Sequence, residues 1–139
     1  MYTTQQQMVD RFGLEELIQL TDRDGTAGII VTAVLDAAGV SADAVIDTHL
    51  QGRYQLPVAA VPQVLVGIGA DLRRYFLYDA AASEQVTKRY DEAMKLLRAI
   101  AKGEISLGLT AAGEAAGPAG LAQMQSGGRI FDRADSGFI

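Results

Sequence analysis

The chain has 139 residues, 49% of them apolar, with no cysteine, no tryptophan and a formal net charge of −5. That length suits one domain rather than two, and the lack of cysteine excludes disulfides and thiolate chemistry. Ten basic and thirteen acidic residues precede Glu104, with two and four after Gly103, so neither part is basic enough for wholesale neutralisation of nucleic-acid phosphates.

The N-terminal stretch MYTTQQQMVDRF has no basic start and no apolar run, so it does not read as a secretory signal. Thr3 or Thr4 is placed to cap a short helix through Phe12, with Gly13 as its stop. Leu14 to Leu20 reads as a second short helix, with Glu15 and Glu16 in the first turn where they complement the helix dipole.

The loop that follows, LTDRDGTAG, poses a metal question, because Asp22 and Asp24 have the spacing with which EF-hand loops begin. Such a loop needs oxygen ligands at positions one, three and five, glycine at six and glutamate at twelve. Counted from Asp22, position six is Ala27 and position twelve is Ala33; counted from Leu20, Gly25 reaches six but Val31 stands at twelve. The stronger reading is an Asx-type turn with Gly25 and Gly28 at positive φ, which leaves Asp22 and Asp24 as weak metal candidates. No cofactor is expected.

A long helix is predicted from Thr32 to Gln51, with Val31, Leu35, Ala38, Ala42, Val45 and His49 forming one stripe at steps of four and three. Gly39 inside it costs roughly 1 kcal/mol against alanine, so a break there with Ser41 re-capping a second piece is the alternative. The connector GRYQLPVAAVP carries two prolines that block helix before them. Its apolar run from Leu56 to Ala70 ends at Asp71, too short and broken for a bilayer span, so a soluble protein is expected. A fourth helix presents Leu65, Ile68, Leu72, Tyr75 and Phe76 on one face through about Tyr78. Ser83 caps the last helix, where Val86, Tyr90, Ala93, Leu97 and Ile100 step by four and three to Gly103.

The expected fold is therefore all-α: a bundle of four to five helices over residues 1–103, followed by a glycine- and alanine-rich arm over 104–139. In the arm only GRIFDR, at 128–133, reads as a short strand. A partner or a neighbouring copy is expected to hold the arm.

No enzyme is expected. His49 is the single histidine and continues an apolar stripe, no G-x-S-x-G elbow is present, and no glycine-rich loop precedes a Lys-Ser or Lys-Thr pair. Charge patterning points to interfaces instead. Lys88, Lys95 and Lys102 recur every seven residues, and the long helix carries Asp36, Asp43 and Asp47. Most such stripes are solvated faces; the sharper reading has the two faces meeting between identical subunits, head to tail, around a ring. Arg73 and Arg74 are candidates for a partner's carboxylates or for nucleic acid.

Taken together, DRFGLEELIQLTDRDG, GRYQLP, KGEISLG and SGGRIFDR resemble, in order and across nearly the whole chain, a family of head–tail connector or neck proteins of Mu-like phages and prophages. In that family the first loop reads as a fuller acidic DGDG; here Thr26 and Ala27 intervene, which weakens the metal expectation. The resemblance implies an α-helical adaptor that forms a ring, commonly dodecameric, beneath the portal of a DNA-filled capsid. It further implies contact with the portal protein and with a downstream neck or tail-completion protein, in the virion neck after assembly in the bacterial cytoplasm. DNA would pass through the lumen without sequence-specific binding, which suits an acidic protein, and no membrane is involved. In this reading Phe131 anchors the arm by strand addition to an exposed sheet edge, Ile130 faces the opposite way, and Arg129 and Arg133 flank it. The competing expectation is a small helical regulator or adaptor in the host or prophage, binding nucleic acid through Arg73 and Arg74.

Overall fold

Thr4 opens the first helix. Its hydroxyl oxygen accepts from the Gln7 backbone N–H at 3.2 Å, and the Gln7 side-chain oxygen accepts from the Thr4 N–H at 2.8 Å, so two orphan donors are satisfied reciprocally. The computed structural model of the protein describes residues 1–114. Its helices are α1 (Gln5–Phe12), α2 (Leu14–Thr21), α3 (Thr32–Leu50), α4 (Gln63–Tyr78) and α5 (Glu84–Lys102), with a 3₁₀ turn at Asp79–Ala81 before α5. The all-α expectation holds, and no β-strand occurs among the described residues. Gly13 closes α1 and opens α2 at φ +90°, a conformation that lets one residue reverse the chain and that glycine alone adopts cheaply. Ser83 caps α5 through the Val86 N–H, and Gly103 ends it in the left-handed region.

Helix α3 runs unbroken through Gly39. Ser41 starts no second helix, since its hydroxyl donates back to the Ala37 carbonyl at 3.2 Å. The buried face begins with Leu35, Ala38 and Ala42 as expected, then continues to Ile46 and Leu50 while Val45 and His49 stay half-buried at its edge. A strict alternation of four and three averages 3.5 residues and drifts about 20° per heptad on a straight helix. Over the 19 residues of α3 that drift is about 54°, roughly half the angle between successive residues, enough to favour Ile46 over Val45 and Leu50 over His49 on the core face.

Helices α3, α4 and α5 pack against one another, and the α1–α2 hairpin lies on α3 and α4. Two apolar clusters result. One joins the C-terminal half of α3 (Ile46, Leu50) to Leu65 and Leu72 of α4 and to Leu97 and Ile100 of α5. The other joins Met8 and Leu17 to Leu35 and Leu77. Phe76, half-buried, packs against both.

Packing continues past the boundary expected at Gly103. Leu107 is buried in the first cluster, the Gln55 N–H donates to the Ala111 carbonyl at 2.8 Å, and the Ala59 N–H to Gly113 at 3.0 Å. Gly113, at φ +77°, lies so close to the connector that a Cβ would fall 2.8 Å from the Gln55 carbonyl oxygen. Among the described residues no helix is long and apolar enough to cross a membrane. The short strand expected at 128–133 lies outside the described residues.

Candidate interaction surface

The acidic loop is built as a turn. Thr21 donates to the Leu17 carbonyl at 2.7 Å and accepts from the Val31 N–H at 3.0 Å, fastening the end of α2 to the start of α3. The buried Asp22 accepts from the backbone N–H groups of Gly28 at 2.8 Å and Ala27 at 3.0 Å. Those amides, Gly28 foremost, hold its carboxyl below the usual range against the opposing effect of burial. Gly25 and Gly28 sit at φ +67° and +64°, and Asp24 is exposed. Asp22 thus organises the chain entering α3, and among the described residues no group of three or more metal-ligating side chains converges.

The three aspartates of α3 hold the chain's own groups. Asp36 pairs with Arg73 at 3.1 Å. Asp43 accepts from the Tyr2 N–H at 3.1 Å and lies 3.5 Å from the Met1 ammonium. Asp47 accepts from the Tyr2 hydroxyl, and burial, then this bond, pushes the Tyr2 phenol well above its ordinary value. Two aspartates of the stripe expected to meet a neighbour's lysines thus hold the first residues of the chain, and the third holds Arg73.

Arg73 is placed differently from its expectation. It is 1% exposed. Its Nε donates to the Leu35 carbonyl at 2.9 Å, Nη1 to the Thr3 carbonyl at 2.7 Å and Nη2 to Asp36 at 3.1 Å. Burial lowers its pKa, and Asp36 and Asp43 oppose that shift. A partner or a nucleic acid cannot reach this guanidinium. Arg74 is engaged as well: Nε donates to Glu16 at 2.6 Å, Tyr78 donates to the same oxygen at 3.0 Å, and the guanidinium lies 4.5 Å from the Phe12 ring centroid. The sequence did carry a signal for Arg73. Val66, Ala70 and Leu77 are buried at helical spacing, and residue 73 completes that register.

On the opposite side, Asp71 of α4 accepts from Arg11 of α1 at 2.9 Å and lies 4.0 Å from Arg89 of α5. Burial raises its pKa and outweighs Arg11, Arg89 and Arg74; its Oδ1 has no hydrogen-bond donor among the described residues. Tyr75 and Tyr90 stack beside it at 4.0 Å and 21°, joining α4 to α5. Neither arrangement was legible beforehand.

The lysine stripe keeps its exposure. Lys88, Lys95 and Lys102 stand on the outside of α5, with no carboxylate within 4.0 Å among the described residues. Arg129, Ile130, Phe131 and Arg133 lie outside the described residues.

Comparison with known proteins places this architecture. The family described as "Bacteriophage Mu, Gp36" matches residues 2–126. The chain is 32% identical over 140 aligned positions to "Mu-like prophage FluMu protein gp36" of Haemophilus influenzae, covering 100% of this chain and 99% of that protein. It is 30% identical over 140 positions to "Gene product J" of Escherichia phage Mu, covering 99% of each.

Proposed function

The chain belongs to the Bacteriophage Mu, Gp36 family, and from that membership we propose that it is a structural head–tail connector. In this reading copies assemble into a ring, dodecameric as is common for such adaptors, beneath the portal of the filled capsid. The ring receives the next neck or tail-completion protein, and DNA passes through it without sequence-specific contact. The protein works in the virion neck, carries out no reaction and needs no cofactor.

The observation that carries the proposal is the unbroken family match along nearly the whole chain. A body made of helices, with an unpaired lysine face on α5, is consistent with a part that docks on other proteins. The net charge of −5 suits a passage for DNA, since like charge discourages backbone adsorption. The rival reading, a regulator binding nucleic acid through Arg73 and Arg74, loses its contact residues, because one is buried and the other is held by Glu16.

Removing the gene from the phage that encodes it tests the proposal. Loss should leave DNA-filled heads and finished tails that do not join; tailed, infectious particles made without the protein would refute it.

A further inference from the structure

Asp79, between α4 and α5, is the one non-glycine residue at positive φ among the described residues, at φ +51° and ψ −129°. That ψ lies far from the left-handed helical well that aspartate tolerates, so the bend there is strained. The other helix junctions are made differently. Gly13 turns α1 into α2, Gly25 and Gly28 lead into α3, and the connector before α4 carries Gly52, Pro57 and Pro62. From Ala70 to Lys102 the chain contains neither glycine nor proline. Between Asp79 and Ser83 stand three alanines, the strongest helix formers. Asp79 is exposed, with no cation within 4.0 Å among the described residues, so no ion pair fixes the bend.

The apolar pattern also runs on across the bend. Leu72, Tyr75, Asp79, Ala82, Val86 and Tyr90 keep steps of three and four, so a helix continued through the junction carries both core faces on one side. What holds the bend is the packing of α5: the cluster that Leu72 shares with Ala93 and Leu97, and Tyr75 stacked on Tyr90 at 4.0 Å. Ser83 adds its cap on α5. None of the packing contacts requires that α5 belong to the same chain.

We propose that residues 79–83 form a hinge with two states. One is the bend at Asp79. In the other the segment is helical, α4 and α5 become one helix from 63 to 102, and α5 packs on the α3–α4 body of a second copy of this chain. A straightened helix carries Leu97 and Ile100 away from their own α3 and α4, leaving apolar surface bare on both sides. The α5 of another copy covers it with the same contacts, and Leu107 and the Ala111 and Gly113 carbonyls travel with that helix. Such exchange goes beyond the connector role and does not depend on it.

Because the chain has no native cysteine, spin labels can be placed at Gln63→Cys and Lys102→Cys, both exposed, in the full chain. Helices α4 and α5 are antiparallel, Leu65 sharing a cluster with Ile100 and Tyr75 meeting Tyr90, so the bend keeps both labels at one end of the bundle. One continuous helix sets them about 58 Å apart at 1.5 Å per residue. Labelled chains are refolded from urea at high concentration with an excess of unlabelled chain, so that pulsed electron spin resonance reads distances within single chains. A population at the long distance is expected, in particles of at least twice the mass of one chain. Asp79→Ala, which keeps the strain and favours helix, should raise that population. Asp79→Gly, which relieves the strain, should lower it at least about tenfold. The short distance alone in the parent, or equal populations in the two Asp79 variants, overturns the hinge. The long distance in particles of single-chain mass overturns the exchange with a second copy.

Discussion

The guanidinium of Arg73 fills the space that a side chain at Gly39 would need: a Cβ built there would lie 3.0 Å from both Cζ and Nε of Arg73. One residue explains the other. Glycine in mid-helix loses about 1 kcal/mol of helix propensity, yet it opens the slot in α3 that lets a cation lie under the Leu35 carbonyl and beside Asp36.

Gly39→Ala should therefore destabilise the protein, against its gain in propensity. The neighbouring guanidinium is held from three sides and cannot give way, so overpacking of about 1–2 kcal/mol is expected. Urea unfolding measures it. A more stable Gly39→Ala protein would mean that Arg73 is free to move.

Arg73→Ala should cost about 2–4 kcal/mol, since it leaves the Leu35 and Thr3 carbonyls without this donor and opens a cavity, while the half-exposed Asp36 turns to water. Arg73→Lys keeps the charge but cannot reproduce a three-way planar fork, and about 2 kcal/mol is expected. Denaturant midpoints give both values. Loss of salt-dependent DNA binding with unchanged stability would instead restore the surface role that burial denies this residue.

Stability should respond to acid in two opposite ways. Asp22 has a depressed carboxyl in the fold, so its contribution is present above its ordinary value and is lost as pH falls through the folded one. Asp71 is raised, so the fold gains stability as pH falls through that raised value toward the ordinary carboxylate range. As pH falls toward the ordinary carboxylate value of about 4 the curve should flatten or rise, and below about 4 it should fall. Asp22→Asn, which keeps an acceptor oxygen, should soften the lower limb; Asp71→Asn should remove the upper feature. Urea midpoints between pH 2.5 and 6, each pH value being about half a unit apart, provide the check. Unchanged limbs would assign the acid response elsewhere.

Lys95→Glu should lower the mass of the assembled protein, because Lys95 is exposed at the middle of the free stripe on α5 and its reversal meets whatever acid the neighbour presents. Lys95→Gln separates loss of charge from new repulsion with the nearby Asp91. Sedimentation at matched concentration reads the outcome, and an oligomer unchanged in both variants would remove the lysine face from assembly.

Much of the fold was legible because it rests on local chemistry. Thr4, Gly13, Ser83 and Gly103 cap helices where their side chains or their freedom at positive φ predict. What escaped depends on partners distant in sequence. Tyr2 is buried because Asp43 and Asp47, some forty residues on, hold it. Arg73 reads as a surface cation until Gly39 and Thr3 are brought beside it. The acidic stripe reads as an unengaged face because the groups it holds, the N-terminus and a buried arginine, carry no local signature.

The most direct test of the connector reading is a cryo-electron microscopy reconstruction of the neck of the intact virion. It should show a closed ring of copies of this chain between the portal and the tail. A neck built without the chain, or the chain placed at another site in the particle, would contradict it.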